Sequence, residues 1–152
     1  LPALLASEND IKSFSMTGQR RDLNREKFKL EKLSAVFNNP ESNANKNLKY
    51  LRKAMNVRSK LSQFHPQSGM QCLSKNRSDI VVIKRGNSSK AIYTIHNMTE
   101  NKINYRLSDF DLTKLKKNDL NMSDYLTSNK YNCNNIELDP FQVIWLGFLI
   151  DD

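Results

Sequence analysis

Arg20, Arg21 and Arg25 fall within the stretch from Gly18 to Phe28, just before a helical pattern that begins near Lys29. Planar guanidinium groups on a loop suit bidentate donation to hydroxyls, carboxylates or phosphates, which makes this stretch the candidate for ligand contact. A solvated basic turn is the alternative reading of the same residues. Asp10, Asp22 and Glu26 lie close by. Helix capping, or pairing with Arg20 and Arg25, accounts for these acids without a catalytic role.

The elements that must hold this stretch are read from periodicity. Residues 7–28 are rich in Ser, Asn, Asp and Gly and predict a loop with one short turn. Lys29–Phe37 predicts a helix with Leu30, Leu33 and Phe37 on one stripe, ended by Asn38-Asn39-Pro40. The strongest element is a helix from Ser42 to Gln63. On a helical wheel Ala44, Leu48, Leu51 and Met55 cluster with Tyr50, Ala54, Val57 and Leu61 in one apolar arc. Lys46, Lys49, Arg52, Lys53 and Lys60 fill the opposite side, and Arg58 alone among the cations falls inside the arc, where it snorkels or meets a buried partner.

Near His65–Gly69 the period changes from helical to strand-like. Asp79–Arg85 and Lys90–His96 are β-branched, and with Gly86–Ser89 as the turn they predict an antiparallel hairpin. Ile103–Leu107 predicts a third strand, with Asn101 in the turn before it. Leu112–Thr127 is polar and irregular and reads as a connection. Asn135–Leu138 and Phe141–Phe148 predict two closing strands about Asp139-Pro140. Trp145, Ile80, Val82, Ile92 and Ile95 are the expected core. The division that follows is 1–68, helical, and 69–152, a small antiparallel sheet or sandwich.

Composition excludes several classes of protein. The chain has 152 residues, 38% hydrophobic and 26% charged, with 4 Gly and 4 Pro, which is a folded chain and no low-complexity linker. No apolar run reaches the roughly 20 residues of a membrane span. The first six residues lack the basic flank of a signal peptide, so a soluble cytoplasmic protein is expected. Cys72 and Cys133 have no CxxC partner and do not suggest a disulfide framework. Scattered as they are, His65, His96 and the two cysteines do not form a zinc pattern, so no metal or cofactor is expected. Four Asn-x-Ser/Thr sequons start at Asn76, Asn87, Asn97 and Asn121, as chance supplies in an Asn-rich chain. The formal charge of +8 is concentrated in residues 1–68, where 13 Lys/Arg face 6 Asp/Glu. One solvated helix face explains most of that excess. The aromatics do not interleave with the cations, which argues against nucleic acid as a partner.

Leu4-Leu5-Ala6, Asn9-Asp10, Thr17-Gly18, Arg21 and Leu23-Asn24-Arg25 stand in an order that resembles the segment after the eighth barrel strand in glycoside hydrolase family 13. The group it is most similar to is that of the sucrose phosphorylases. Phe64-His65-Pro66, and Leu138 with Pro140-Phe141-Gln142 and Trp145-Leu146, extend the resemblance along nearly the whole chain. What the resemblance implies is an α+β fragment: the last loop and helices of a (β/α)8 barrel in 1–68, then a C-terminal antiparallel β domain in 69–152. Arg21 would line the subsite for the glucosyl unit of an α-glucoside, and Arg25 would hold the loop on the barrel rim. The nucleophile and acid/base carboxylates of a retaining enzyme would lie on earlier strands that this chain does not include. Phosphate and an α-glucoside would be ligands of the full-length enzyme, and a separately encoded N-terminal barrel portion a partner. Glu26 stands where the group commonly has His, and Gln19 where Arg occurs, which leaves the acceptor open among fructose, fructose 6-phosphate, glycerate and glycerol. The chain opens on Leu1 without an initiator Met and reads as a fragment. A stand-alone module binding a glycan or nucleic acid, or the remnant of a degraded gene, is the competing reading.

Overall fold

The computed structural model describes residue 5 and residues 7–24, 28–74, 76–87, 90–107 and 121–148. The chain divides into two compact units, 1–56 and 57–152. The fold class is α+β, helices first and antiparallel sheets after.

In the first unit α1 (Ile11–Thr17) begins at Asp10, whose carboxylate accepts from the Ser13 backbone N–H at 2.9 Å and its hydroxyl at 2.6 Å. This side-chain cap satisfies a backbone donor that the first turn leaves orphaned. Gly18 ends the helix in the left-handed region at φ 67°, its N–H bonded to the Phe14 carbonyl at 2.7 Å. A 3-10 turn, Arg20–Asn24, follows. The expected loop over 7–28 is thus corrected: two short helical elements occupy residues 11–17 and 20–24, the first nucleated by an Asp-x-x-Ser cap and stopped by glycine.

Helix α2 spans Leu30–Asn38, one residue displaced from its expected span. Leu33 and Val36 are half-buried, whereas Leu30 and Phe37 of the expected stripe stand 79% and 43% exposed. Helix α3 runs Asn43–Lys60 rather than to Gln63. Leu61 is extended, and a short 3-10 turn, Ser62–Phe64, completes the stretch. Ala44 is buried and Leu48, Leu51, Ala54 and Val57 half-buried, as the apolar arc requires; Tyr50 and Met55 are exposed. Arg58 projects to solvent.

Among the described residues the second unit holds eight strands: β1 (Met70–Cys72), β2 (Ile80–Arg85), β3 (Ile92–Asn97), β4 (Ile103–Tyr105), β5 (Asn121–Asp124), β6 (Lys130–Asn132), β7 (Ile136–Leu138) and β8 (Val143–Gly147). Six form one sheet in the order β1-β2-β3-β8-β5-β6, and β4 pairs with β7 in a second. The expected hairpin is β2–β3, with Val82 opposite Ile95 and Ile83 opposite Thr94. Alternate residues of β2, β3 and β8 point one way, and Ile80, Val82, Ile95, Ile144 and Leu146 are each fully buried there. Ala91, Tyr93, Leu107, Met122, Cys133, Ile136 and Leu138 join them in this core. At about 1.5–3 kcal/mol per buried aliphatic side chain, it dominates the stability of the unit.

Two corrections arise here. Strands β1, β5 and β6 were not expected, since residues 121–124 read as part of a polar connection. β7 and β8 flank Asp139-Pro140 as expected, β7 pairing with β4 and β8 with β3. Trp145 is half-buried, on the sheet face opposite the core, where its ring meets Phe64 at 4.8 Å. Most of the expected connection, residues 112–120, lies outside the described residues.

Candidate functional site

The arginine stretch is held from both ends. The Asp10 N–H donates to the Leu23 carbonyl at 2.8 Å, tying the start of α1 to the end of the 3-10 turn. The Thr17 hydroxyl donates to the Asp22 carboxylate at 2.5 Å and accepts from the Gln19 N–H at 3.2 Å. The Asp22 N–H closes the turn on the Gln19 carbonyl at 2.9 Å. Asp10 and Asp22 therefore act as a cap and a turn lock. Hydrogen bonds from Ser13 hold the Asp10 carboxyl below the usual carboxylate range.

Arg21 projects from this locked turn with 65% of its side chain exposed. Its Nε sits 4.0 Å from the neighbouring Asp22 carboxylate, an exposed pair that restrains the guanidinium weakly. The guanidinium is thus free to donate to a ligand while its backbone is fixed. Arg20 is also exposed. Arg25 and Glu26 lie outside the described residues.

A cavity of about 780 Å³ opens within the same unit. Asp10, Ile11 and Lys12 form one wall and Lys32, Leu33 and Val36 another. Its size is that of a small-molecule site. Arg21 is not among the residues that line it. Sequence reasoning passed over this cavity because it depends on α1.

Several carboxylates elsewhere are engaged structurally. Asp79 pairs with Arg77. Lys102 pairs with Glu137 at 3.4 Å and Asp139 at 3.0 Å. Asp124 is fully buried and accepts from the Trp145 N–H at 2.8 Å, the Leu126 N–H at 3.1 Å and the Thr127 hydroxyl at 2.6 Å. Among the described residues no group of three His, Cys, Asp or Glu is arranged to hold a metal ion. Burial lowers the His96 pKa and raises that of the Cys133 thiol. Among the described residues no helix is long and apolar enough to cross a membrane.

No protein-family model and no curated protein matches the chain. Solved structures do. A trehalulose synthase MutB variant in complex with Tris aligns with a TM-score of 0.57 and 10% identity, over 86% of this chain and 24% of that one. Trehalose-6-phosphate hydrolase of Bacillus licheniformis aligns at 0.53 and 14%, over 75% and 20%. An Anoxybacillus alpha-amylase aligns at 0.52 and 15%, over 74% and 24%. The chain thus spans about a fifth to a quarter of the length of the chains it matches. These neighbours are family 13 glycoside hydrolases, and at such identities the likeness shows a shared fold. The finer assignment within that fold rests on the arginine turn.

Proposed function

We propose that the chain is the C-terminal part of a retaining α-glucoside phosphorylase, which moves a glucosyl unit between a sucrose-like α-glucoside and inorganic phosphate. The observation that carries this reading is Arg21, exposed on a backbone-locked turn within the Thr-Gly, Arg and Leu-Asn-Arg pattern, in a chain whose fold is shared with family 13 enzymes. Arg21 donates hydrogen bonds to hydroxyls of the glucosyl unit, and Arg25 holds the loop in place.

In this reading the nucleophile and acid/base belong to a barrel portion outside this chain. Retention requires two carboxyl groups about 5 Å apart, one attacking the anomeric carbon and one protonating the leaving oxygen. The described acids around the turn are committed to caps and ion pairs, and by itself this chain is inactive. The first unit supports the need for a covering portion. Ile11, Met16, Leu30 and Met55 are 67–79% exposed, while its buried apolar residues among those described are Leu5 and Ala44. Such a surface calls for a partner that covers it. The β domain acts as a structural cap.

The test is reconstitution. The chain is mixed with the product of the coding sequence that precedes it, and glucosyl phosphate release from sucrose is followed with and without phosphate. Phosphate-dependent release, lowered about 10- to 150-fold in Arg21→Ala, supports the proposal. Phosphate-independent release of glucose would make it a hydrolase, and no turnover with a folded complex would refute glucosyl transfer.

A further inference from the structure

Phe141 occupies a position that its own backbone disfavours. Asp139–Gln142 form a four-residue turn closed by the Gln142 N–H on the Asp139 carbonyl at 3.1 Å, with Pro140 second and Phe141 third at φ 54°. A positive φ at that third position calls for glycine, and for a bulky aromatic it is strained. The ring gains no burial in return, since it is 66% exposed.

The surroundings fix this conformation tightly. The Asn97 amide donates to the Asp139 carbonyl at 2.9 Å and the Asn101 carbonyl at 2.7 Å, while its oxygen accepts from the Thr99 N–H and hydroxyl, each at 2.9 Å. The Phe141 N–H reaches the Thr99 carbonyl at 3.1 Å. Beside it Met98 is 55% exposed. A strained backbone that holds an aromatic ring out in water points to a function for that ring. A rigid aromatic with a Met neighbour and a charged rim has the composition of an interface anchor.

Charge selects the occupant. Asp139 lies in the turn itself and shares Lys102 with Glu137, at 3.0 and 3.4 Å, and Glu100 precedes that lysine by two residues, so three acids stand near the tip against one lysine in a chain of formal net charge +8. The complementary surface in the same sequence is α3, where Tyr50 is 48% exposed and lies one turn from Lys46 and Lys53, with exposed Lys49 beside it. We propose that the Phe141 tip of one copy docks on the basic α3 face of a second copy, the ring against Tyr50 and the acids against Lys49 and Lys53. The contact joins two different surfaces, so it is heterologous and grows into a ring or an open chain.

Sedimentation of the full chain over a range of concentration and salt tests this. Self-association is expected, weakened by salt. Phe141→Gly should weaken it about tenfold or more, as loss of an aromatic anchor does, while raising the melting temperature. Lys49→Glu with Lys53→Glu should weaken it comparably, since Glu and Lys have similar helix propensities. Mixing the two variants should restore a heterodimer and nothing larger, because each keeps one intact surface. A monomer at every concentration would overturn the proposal. So would a Phe141→Gly variant that melts lower, which would make the ring structural, or an α3 variant that associates like the parent.

Discussion

The Asp10 backbone N–H and the Leu23 carbonyl, 2.8 Å apart, close a segment of two short helical elements on which Arg21 stands. For the proposed contact with a glucosyl unit a fixed origin matters more than burial, since positional error in a contact erases its contribution. Here the origin is fixed by backbone and side-chain hydrogen bonds, and the guanidinium stands exposed.

Arg21→Ala should therefore separate binding from folding. Its stability should stay within about 0.5 kcal/mol of the parent, as for an exposed surface change. In the reconstituted enzyme kcat/KM should fall by about 10- to 150-fold, the loss of a charge-assisted hydrogen bond worth about 1.5–3 kcal/mol. Paired urea titrations and initial rates measure both.

Asp124 should be the reverse case. It touches no candidate ligand contact, yet Asp124→Ala leaves the Trp145 and Leu126 N–H groups and the Thr127 hydroxyl without their acceptor. A loss of about 1–3 kcal/mol is expected from the buried Leu126 N–H, with smaller losses from the half-buried Trp145 and the exposed Thr127. Asp124→Asn keeps one acceptor oxygen and should cost less. Denaturant midpoints at constant m value report the difference.

At Asn97 the direction of hydrogen bonding is decisive. Its amide donates to two carbonyls, so Asn97→Asp places an acceptor against acceptors. About 3 kcal/mol of destabilisation is expected near neutral pH, from two lost donors in a buried site. The cost should shrink in acid, where the introduced carboxyl is protonated and can donate. The same bonds explain why the sequon at Asn97, 2% exposed, cannot accept a glycan in the folded chain.

His96 gives the fold a pH dependence of known sign. Burial depresses its folded pKa below the ordinary 6.5, so the unfolded chain binds the proton more readily. Stability is full above the unfolded pKa and declines as pH falls from there through the folded value. Replacing His96 by Gln should flatten the thermal stability profile over that window, followed by circular dichroism.

The hairpin was legible because β-branched runs broken by Gly86 have few alternatives, and α3 because its apolar arc repeats faithfully. α1 was hidden by composition: Ser13, Ser15 and Thr17 read as loop residues, while the Asp10 cap and Gly18 stop that outweigh them are single residues. β5 was hidden because Asn121, Ser123 and Asp124 are polar; Asp124 is buried only because Trp145, Leu126 and Thr127 satisfy it, a tertiary fact outside any local pattern. At the candidate site, the arginine triplet was visible in the sequence. The lock between Thr17 and Asp22 was not, because it spans a turn whose geometry depends on α1.

The central claim is that this chain completes a barrel carrying a pair of catalytic carboxylates. The most direct measurement is to sequence the genomic DNA immediately upstream of the codon for Leu1. The account predicts an open frame continuous with this one, or a closely linked gene, encoding barrel strands that bear the nucleophilic Asp and the acid/base Glu. A stop codon followed by unrelated sequence, with no such gene beside it, would contradict it.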